Sequence, residues 1–316
     1  MPEQIYNIIR KAQSLRNKYI NFTVTNAYRL VNSHGDDLPE ITIDVYDKNL
    51  LVRYFRHYET HVKEDICSVL IELLQPESIT EKICLKGANV QTNLISGKGI
   101  PKDFVVIENG IKFSISFSEG GGTGLYLDQR DNRKKVQSVA AGKEVLNCFC
   151  YTTSFSMYAN AGGAVKTVNV DLSKKAIEWG KKNFSLNQID VNNHEFIVGD
   201  VWEWVRRFQK RERTFDLIIF DPPSFSTSKE NTFTVEKDFP EIIGLGLNIL
   251  RDDGILIFST NMAKMSFSDF FRTLSKVNNF TRRKYKILDV SSQGLDFPTN
   301  CISSIEPYLK FVMLSC

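Results

Sequence analysis

The chain has 316 residues, room for about two domains at the usual ~150 residues each and for a sizeable core. Its 40 Lys and Arg against 37 Asp and Glu leave a net charge of +3, so the whole chain carries no polyanion-binding signature and any such surface must be local. The six cysteines (Cys67, Cys84, Cys148, Cys150, Cys301, Cys316) form no C-x-x-C pair and have no His at zinc-finger spacing, which argues against a disulfide framework or a metal site. A polar N-terminus and the lack of an apolar run of membrane length fit a soluble cytoplasmic protein with no membrane partner.

In residues 1–21, Ile5, Ile8, Ile9, Ala12 and Leu15 fall at helical spacing, with Arg10, Lys11, Arg16 and Lys18 among the polar positions. This reads as an amphipathic helix whose basic flank is a solvated face, RNA contact being the alternative. Residues 22–118 change to short β-like runs at 23–31, 40–46, 50–55 and 82–87, with a helix near 63–74. His34, Gly35, Asp36 and Asp37 mark a turn, and Asn109-Gly110 splits the run 103–117 into a hairpin. The expectation is a small α+β domain. Its His57 and His61 sit four apart without a nearby Cys or carboxylate set, and read as surface residues.

A glycine cluster at 119–124 precedes Leu125-Tyr126-Leu127-Asp128-Gln129-Arg130, and the domain boundary is placed just before it. The rest, 119–316, alternates strand and helix. Strands are expected at 144–150, 165–171, 194–200, 215–221 and 254–260, each followed by a helix, which demands a doubly wound parallel sheet with right-handed crossovers. Runs 285–291 and 309–315, with no long helix between them, read as an antiparallel pair at the edge.

Three strands end on an acid: Asp171, Asp200 and Asp221. One such residue is more often a helix N-cap. Three in register suit a nucleoside cofactor, one acid taking the ribose hydroxyls and another the adenine amino group. After Asp221, Pro222 and Pro223 remove two backbone donors and stiffen the chain, and Phe225 offers a flat ring. This carboxylate-Pro-Pro-x-aromatic run resembles motif IV of class I S-adenosylmethionine-dependent methyltransferases acting on nucleobases.

From about Tyr28 onward the chain resembles the bacterial 23S ribosomal RNA methyltransferases whose two branches make 5-methylcytidine and 7-methylguanosine. The run 27–47 is similar to the family's RNA-recognition domain, 123–133 to the motif leading into its cofactor pocket, 145–152 to motif I, 170–173 to its ribose motif and 221–225 to motif IV. The resemblance implies a Rossmann-like class I fold, S-adenosyl-L-methionine as cofactor and large-subunit ribosomal RNA as partner. It implies cofactor contacts from Tyr126, Asp128, Gln129, Arg130, Asn147, Phe149, Tyr151, Thr152, Asp171, Leu172, Asp200, Val201 and Asp221, and catalysis by Asp221, Pro222, Pro223 and Phe225 without a metal. The oligomeric state stays open, a homodimer being one option. The chain departs from the family at Thr153, where motif I has glycine, and at Gly122, where a Lys commonly stands. A side chain at 153 is expected to bear on cofactor affinity.

Methylation at cytosine C5 needs a Cys thiolate to add to the ring, and in the cytosine branch that Cys follows the Phe-Ser after the fifth strand; here Thr260 follows Phe258-Ser259. Guanine N7 already carries a lone pair and needs only alignment. The expected product is therefore 7-methylguanosine. The alternatives are 5-methylcytidine, a small-molecule or protein methyltransferase, and a non-catalytic RNA-binding relative. Basic clusters at 130–135, 206–213 and 282–286 are expected to hold phosphates together with the N-terminal helix.

Overall fold

The computed structural model describes residues 2–118, 120, 122–223, 226–227, 232–233, 235–300 and 307–316. The chain forms two compact units. The first holds the chain up to Arg130 and the segment that starts at Gly294; the second holds Asp131–Gln293 and the C-terminal strand. The glycine cluster thus groups with the first unit rather than opening the second. Hydrogen bonds inside that unit explain why: Lys82 Nζ donates to Gly120 O at 2.6 Å, Ser116 N donates to Thr123 O, and the Tyr46 and Thr123 hydroxyls lie 2.9 Å apart.

In the first unit, α1 (Pro2–Tyr19) and α2 (Thr60–Leu74) accompany a sheet of β1 (Ala27–Asn32), β2 (Ile41–Tyr46), β3 (Asn49–Tyr54), β4 (Ser78–Ile83) and β5 (Gln91–Ser96), in that order. Only β3 and β4 pair in parallel, because α2 carries the chain back across the sheet. One sheet face (Ile41, Ile43, Val45, Leu50, Val52, Tyr54, Ile79) shares a core with Ile5, Ile9 and Ala12 of α1 and Ile66, Val69 and Leu70 of α2. The hairpin of β6 (Phe104–Glu108) and β7 (Ile111–Ile115) turns at Asn109 (φ 50°) and Gly110 (φ 82°), the two left-handed residues a type I′ turn requires.

Arg16 overturns its reading as part of a solvated flank. It is 1% exposed, and its guanidinium donates to both Asp36 oxygens (2.6 and 2.7 Å) and to the carbonyls of Arg29 and Asp296. Asp296, also buried, receives Arg130 in two parallel bonds of 2.9 and 2.6 Å and the amide of Arg29 at 3.0 Å. Asp44 is a second buried carboxylate, held by Arg29 and Arg53. Burial alone would push its pKa up, but the two guanidiniums together outweigh that and hold it below the usual range.

The second unit follows the expected alternation: α3 (Arg130–Val139), β8 (Glu144–Cys148), α4 (Ser154–Ala161), β9 (Lys166–Asp171), α5 (Lys174–Leu186), β10 (Glu195–Val198), α6 (Val201–Lys210), β11 (Phe215–Phe220), a short pair of β12 (Ser226–Thr227) and β13 (Thr232–Phe233), α7 (Val235–Asn248), β14 (Leu250–Thr260), α8 (Phe267–Ser275), β15 (Lys286–Ser291) and β16 (Lys310–Ser315). The seven-stranded sheet runs β10-β9-β8-β11-β14-β16-β15. Its first five strands are parallel; β16 runs antiparallel to both β14 and β15. The apolar run of β11 is buried on both faces, Ile218 and Phe220 in the core with α6, α7 and α8, Leu217 and Ile219 in the core with α3 and α4. Strand order reverses between β8 and β11, so the crevice for a ligand opens past the carboxyl ends of these two strands.

The opposite edge, where the parallel strands begin, is closed by charge. Arg213 bonds Glu195 (2.8 and 2.9 Å) and Glu144 (2.8 Å), Arg251 bonds Glu144 (3.2 Å) and Asp216 (2.6 Å), and Lys166 pairs with Glu195 at 2.8 Å. These residues join the starts of β8, β9, β10, β11 and β14. The hydrogen bonds from Arg213, helped by Lys166 and opposed by burial, take the Glu195 pKa down to about 2. A depressed carboxylate adds stability above its ordinary pKa and loses it as pH falls through the folded value. Arg213→Ala should therefore lower stability at pH 7, and with it Tm, by a free energy on the order of 1 kcal/mol for so solvated a network. In melts recorded across pH, the gap from wild type should narrow as pH approaches about 2.

Candidate active site

The loop after β8 departs from extended backbone three times: Phe149 (φ 56°), Tyr151 (φ 46°) and Thr153 (φ 66°) are all left-handed. None is glycine, so the surrounding structure has to hold the conformation. From β9, Asp171 Oδ2 accepts the amide of Tyr151 at 2.9 Å and Oδ1 accepts that of Ser173 at 2.8 Å. From α5, Asn183 Nδ2 donates to Thr152 O at 2.9 Å. The loop is further closed on itself by Thr153 N to Cys150 O at 2.7 Å.

Asp171 does not cap α5. That role falls to Ser173, whose hydroxyl accepts from Ala176 N at 3.2 Å, so the side chain of Asp171 faces the motif I loop. Burial pushes its pKa up, against the two amide hydrogen bonds that favour the charge. Each carboxylate oxygen uses one lone pair on an amide and keeps another, an arrangement that fits a ribose diol. Asp200, in contrast, is the N-cap of α6, its Oδ1 accepting from Glu203 N at 3.1 Å. Its second oxygen suits an amino group. Leu172 is exposed, whereas Val201, one residue after Asp200, is buried.

Asp221 is half-buried at the end of β11, followed by buried Pro222 and exposed Pro223; Phe225 lies outside the described residues. The structure thus gathers Phe149, Tyr151, Thr152, Asp171, Leu172, Asp200, Val201 and Asp221 along one edge of one sheet. It places others differently. Asn147 is buried within β8, donating to Ser156 Oγ at 2.9 Å, and Ser156 in turn donates to Asn169. Tyr126, Asp128, Gln129 and Arg130 belong to the first unit. There Tyr126 is exposed, Gln129 is buried, and the guanidinium of Arg130 is committed to Asp296.

Sequence reading missed Asn183, which fixes the loop from α5, because its only local signal is helical periodicity. Several cations of the basic clusters are already paired with carboxylates. Arg206 pairs with Glu241, Arg207 with Glu203, Arg213 with Glu144 and Glu195, Arg283 with Asp252 and Lys135 with Asp289. Of those clusters, Lys134, Lys210, Arg211, Arg282, Lys284 and Lys286 are the exposed cations for which the structure gives no carboxylate partner.

Thiol chemistry finds no support at this edge. Cys148 and Cys150 are buried, and burial, then the nearby Asp171 carboxylate, pushes both thiols well above their ordinary range. Thr260 is also buried, its hydroxyl accepting the amide of Met262 at 3.3 Å. Cys301 lies outside the described residues.

A doubly wound sheet with this strand order, an acid after each of β9, β10 and β11 and a fixed loop after β8 defines a nucleoside-cofactor enzyme of the Rossmann-like class. The family model described as S-adenosylmethionine-dependent methyltransferase matches residues 84–276, and the chain belongs to that family. It is an S-adenosylmethionine-dependent methyltransferase. The protein is 35% identical to ribosomal RNA large subunit methyltransferase I of Tolumonas auensis over 92% of this chain and 75% of the relative. Identity to the protein of the same name from Photobacterium profundum is 33%, over 96% and 77%. The crystal structure of SMU.776 complexed with SAH superposes with a TM-score of 0.92 at 32% identity, covering 100% of this chain and 82% of that one.

Proposed function

We propose that the chain methylates a base of large-subunit ribosomal RNA, and that guanine N7 is the acceptor. Relatives that carry the rRNA methyltransferase name align over nearly the whole chain, which supports the RNA substrate. The acceptor rests on one observation: among the described residues, no thiol at the carboxyl edge has the low pKa and exposure that attack on cytosine C6 demands.

The motif I loop, Asp171 and Asp200 would hold S-adenosylmethionine, which would supply an electrophilic methyl group. The N7 lone pair would form the bond to that carbon, the carbon–sulfur electron pair leaving with sulfur. The base loses no proton, so no general base is needed, and the protein's part is alignment and charge placement. Asp221 accepts from N–H groups of the base, the Pro222-Pro223 rim bounds it, and Phe225 is assigned the stacking face by resemblance. A stacked base is out of reach, so the target is an unpaired nucleotide flipped into the site.

Two measurements check this. Nucleoside mass spectrometry of rRNA methylated by the purified protein should show 7-methylguanosine, and 5-fluorocytidine-substituted RNA should give no covalent adduct. An adduct lost on Cys148→Ser or Cys150→Ser would establish the cytosine reading instead.

A further inference from the structure

Thr153, at the position where the motif I resemblance implies glycine, holds a left-handed conformation that a β-branched residue adopts only under constraint (φ 66°, ψ 25°). Its side chain is 0% exposed, so it does not line an open cleft. It points instead at Gly180 of α5. A Cβ built on Gly180 would stand 2.5 Å from Thr153 Cγ2 and 2.9 Å from Thr153 Oγ1. Gly180 lies mid-helix, where glycine costs about 1 kcal/mol against alanine, and its φ is not left-handed, so backbone freedom does not explain it. Room for Thr153 does.

The neighbouring contacts fix what that room achieves. The carbonyl of Thr152 accepts both Thr153 Oγ1 (2.6 Å) and Asn183 Nδ2 (2.9 Å), so its peptide is turned towards α5. The Tyr151 amide is meanwhile drawn to Asp171. Helix α5 and strand β9 therefore set successive peptide planes of one loop. Thr153 is fully buried, so a side chain at 180 forces a shift of the Thr153 side chain with the loop that carries it, or of α5 itself.

We propose that Gly180 is a positioning residue for cofactor binding: the Gly180 and Thr153 pair does by packing what a motif I glycine does by backbone freedom. This rests on the assignment of the loop and Asp171 to the cofactor site.

The test is a double-mutant cycle of wild type, Gly180→Ala, Thr153→Gly and the double variant, titrated calorimetrically with S-adenosylhomocysteine and melted in parallel, with Asp171→Ala as reference. Gly180→Ala should weaken binding by about tenfold to a hundredfold, the range expected of an ångström-scale displacement. The double variant should return to the affinity of Thr153→Gly. Should Gly180→Ala fail to fold, the comparison of the double variant with Thr153→Gly still decides. Unchanged affinity in Gly180→Ala despite a lowered Tm, or a double variant much weaker than Thr153→Gly, would overturn the proposal. Asp171→Ala binding as tightly as wild type would overturn the site assignment instead.

Discussion

Asp171→Ala is expected to cost the protein most of its affinity for S-adenosylmethionine while leaving it folded. Two losses combine. In the proposed site the ribose acceptor disappears, and the amides of Tyr151 and Ser173 lose their shared partner, releasing the loop after β8. Leaving such groups unmatched costs on the order of 1–3 kcal/mol, or roughly tenfold to a hundredfold in dissociation constant. Stability should suffer less, because the substitution also removes a carboxylate that burial disfavours.

The same residue gives the binding a pH dependence. A carboxyl whose folded pKa is raised favours the fold when protonated, so its ionisation costs stability as pH rises from the unfolded value through the folded one. Cofactor binding runs the other way, since the ribose hydroxyls need the carboxylate. Affinity should therefore fall, on acidification, at a pH above the ordinary aspartate range, with no matching loss of Tm from this group. Calorimetric titrations over a pH series check it; affinity that stayed flat down to the ordinary aspartate pKa would remove Asp171 from the site.

The second large effect is on stability, from Asp44→Ala in the first unit. It leaves Arg29 and Arg53 facing an apolar methyl, and breaking a buried pair from one side typically costs about 3–5 kcal/mol. The loss should appear in chemical denaturation of the first unit. Because the guanidiniums hold the Asp44 carboxyl below its usual range, its contribution is complete above the ordinary aspartate pKa and disappears as pH falls through the depressed value. If Asp44→Ala denatured like wild type at neutral pH, the cluster would be ornamental.

Sequence periodicity revealed the second unit well because its central strands β8, β9 and β11 are buried on both faces and the acids stand at or just past the strand ends. The edge pair was legible from its two short apolar runs with no long helix between them, although β15 is largely exposed. The first unit was harder. β5, with the sequence QTNLIS, has no apolar alternation because it is a half-exposed edge strand. β4 begins earlier than the 82–87 run suggested, since buried Ser78, Thr80 and Glu81 belong to it despite their polarity. Arg16 looked like any helical surface cation; its partners Asp36 and Asp296 are 20 and 280 residues away, beyond any local pattern. At the site, the acids and the loop were visible but not the packing that shapes them, because nothing around Gly180 in sequence connects it with Thr153.

The return of the chain to the first unit at Gly294 sets a clock on synthesis. Arg130 emerges from the ribosome 166 residues before Asp296, the carboxylate that receives it. At about 5–20 residues per second this is a wait of roughly 10–30 s. Over that interval the sheet around β1 to β5 is complete in sequence yet lacks the buried carboxylate that Arg130 and the Arg29 amide share. Of the two units, the one translated earlier is thus completed only once most of the second has emerged, and a protein truncated before Gly294 carries its arginines without the residue they were placed to meet.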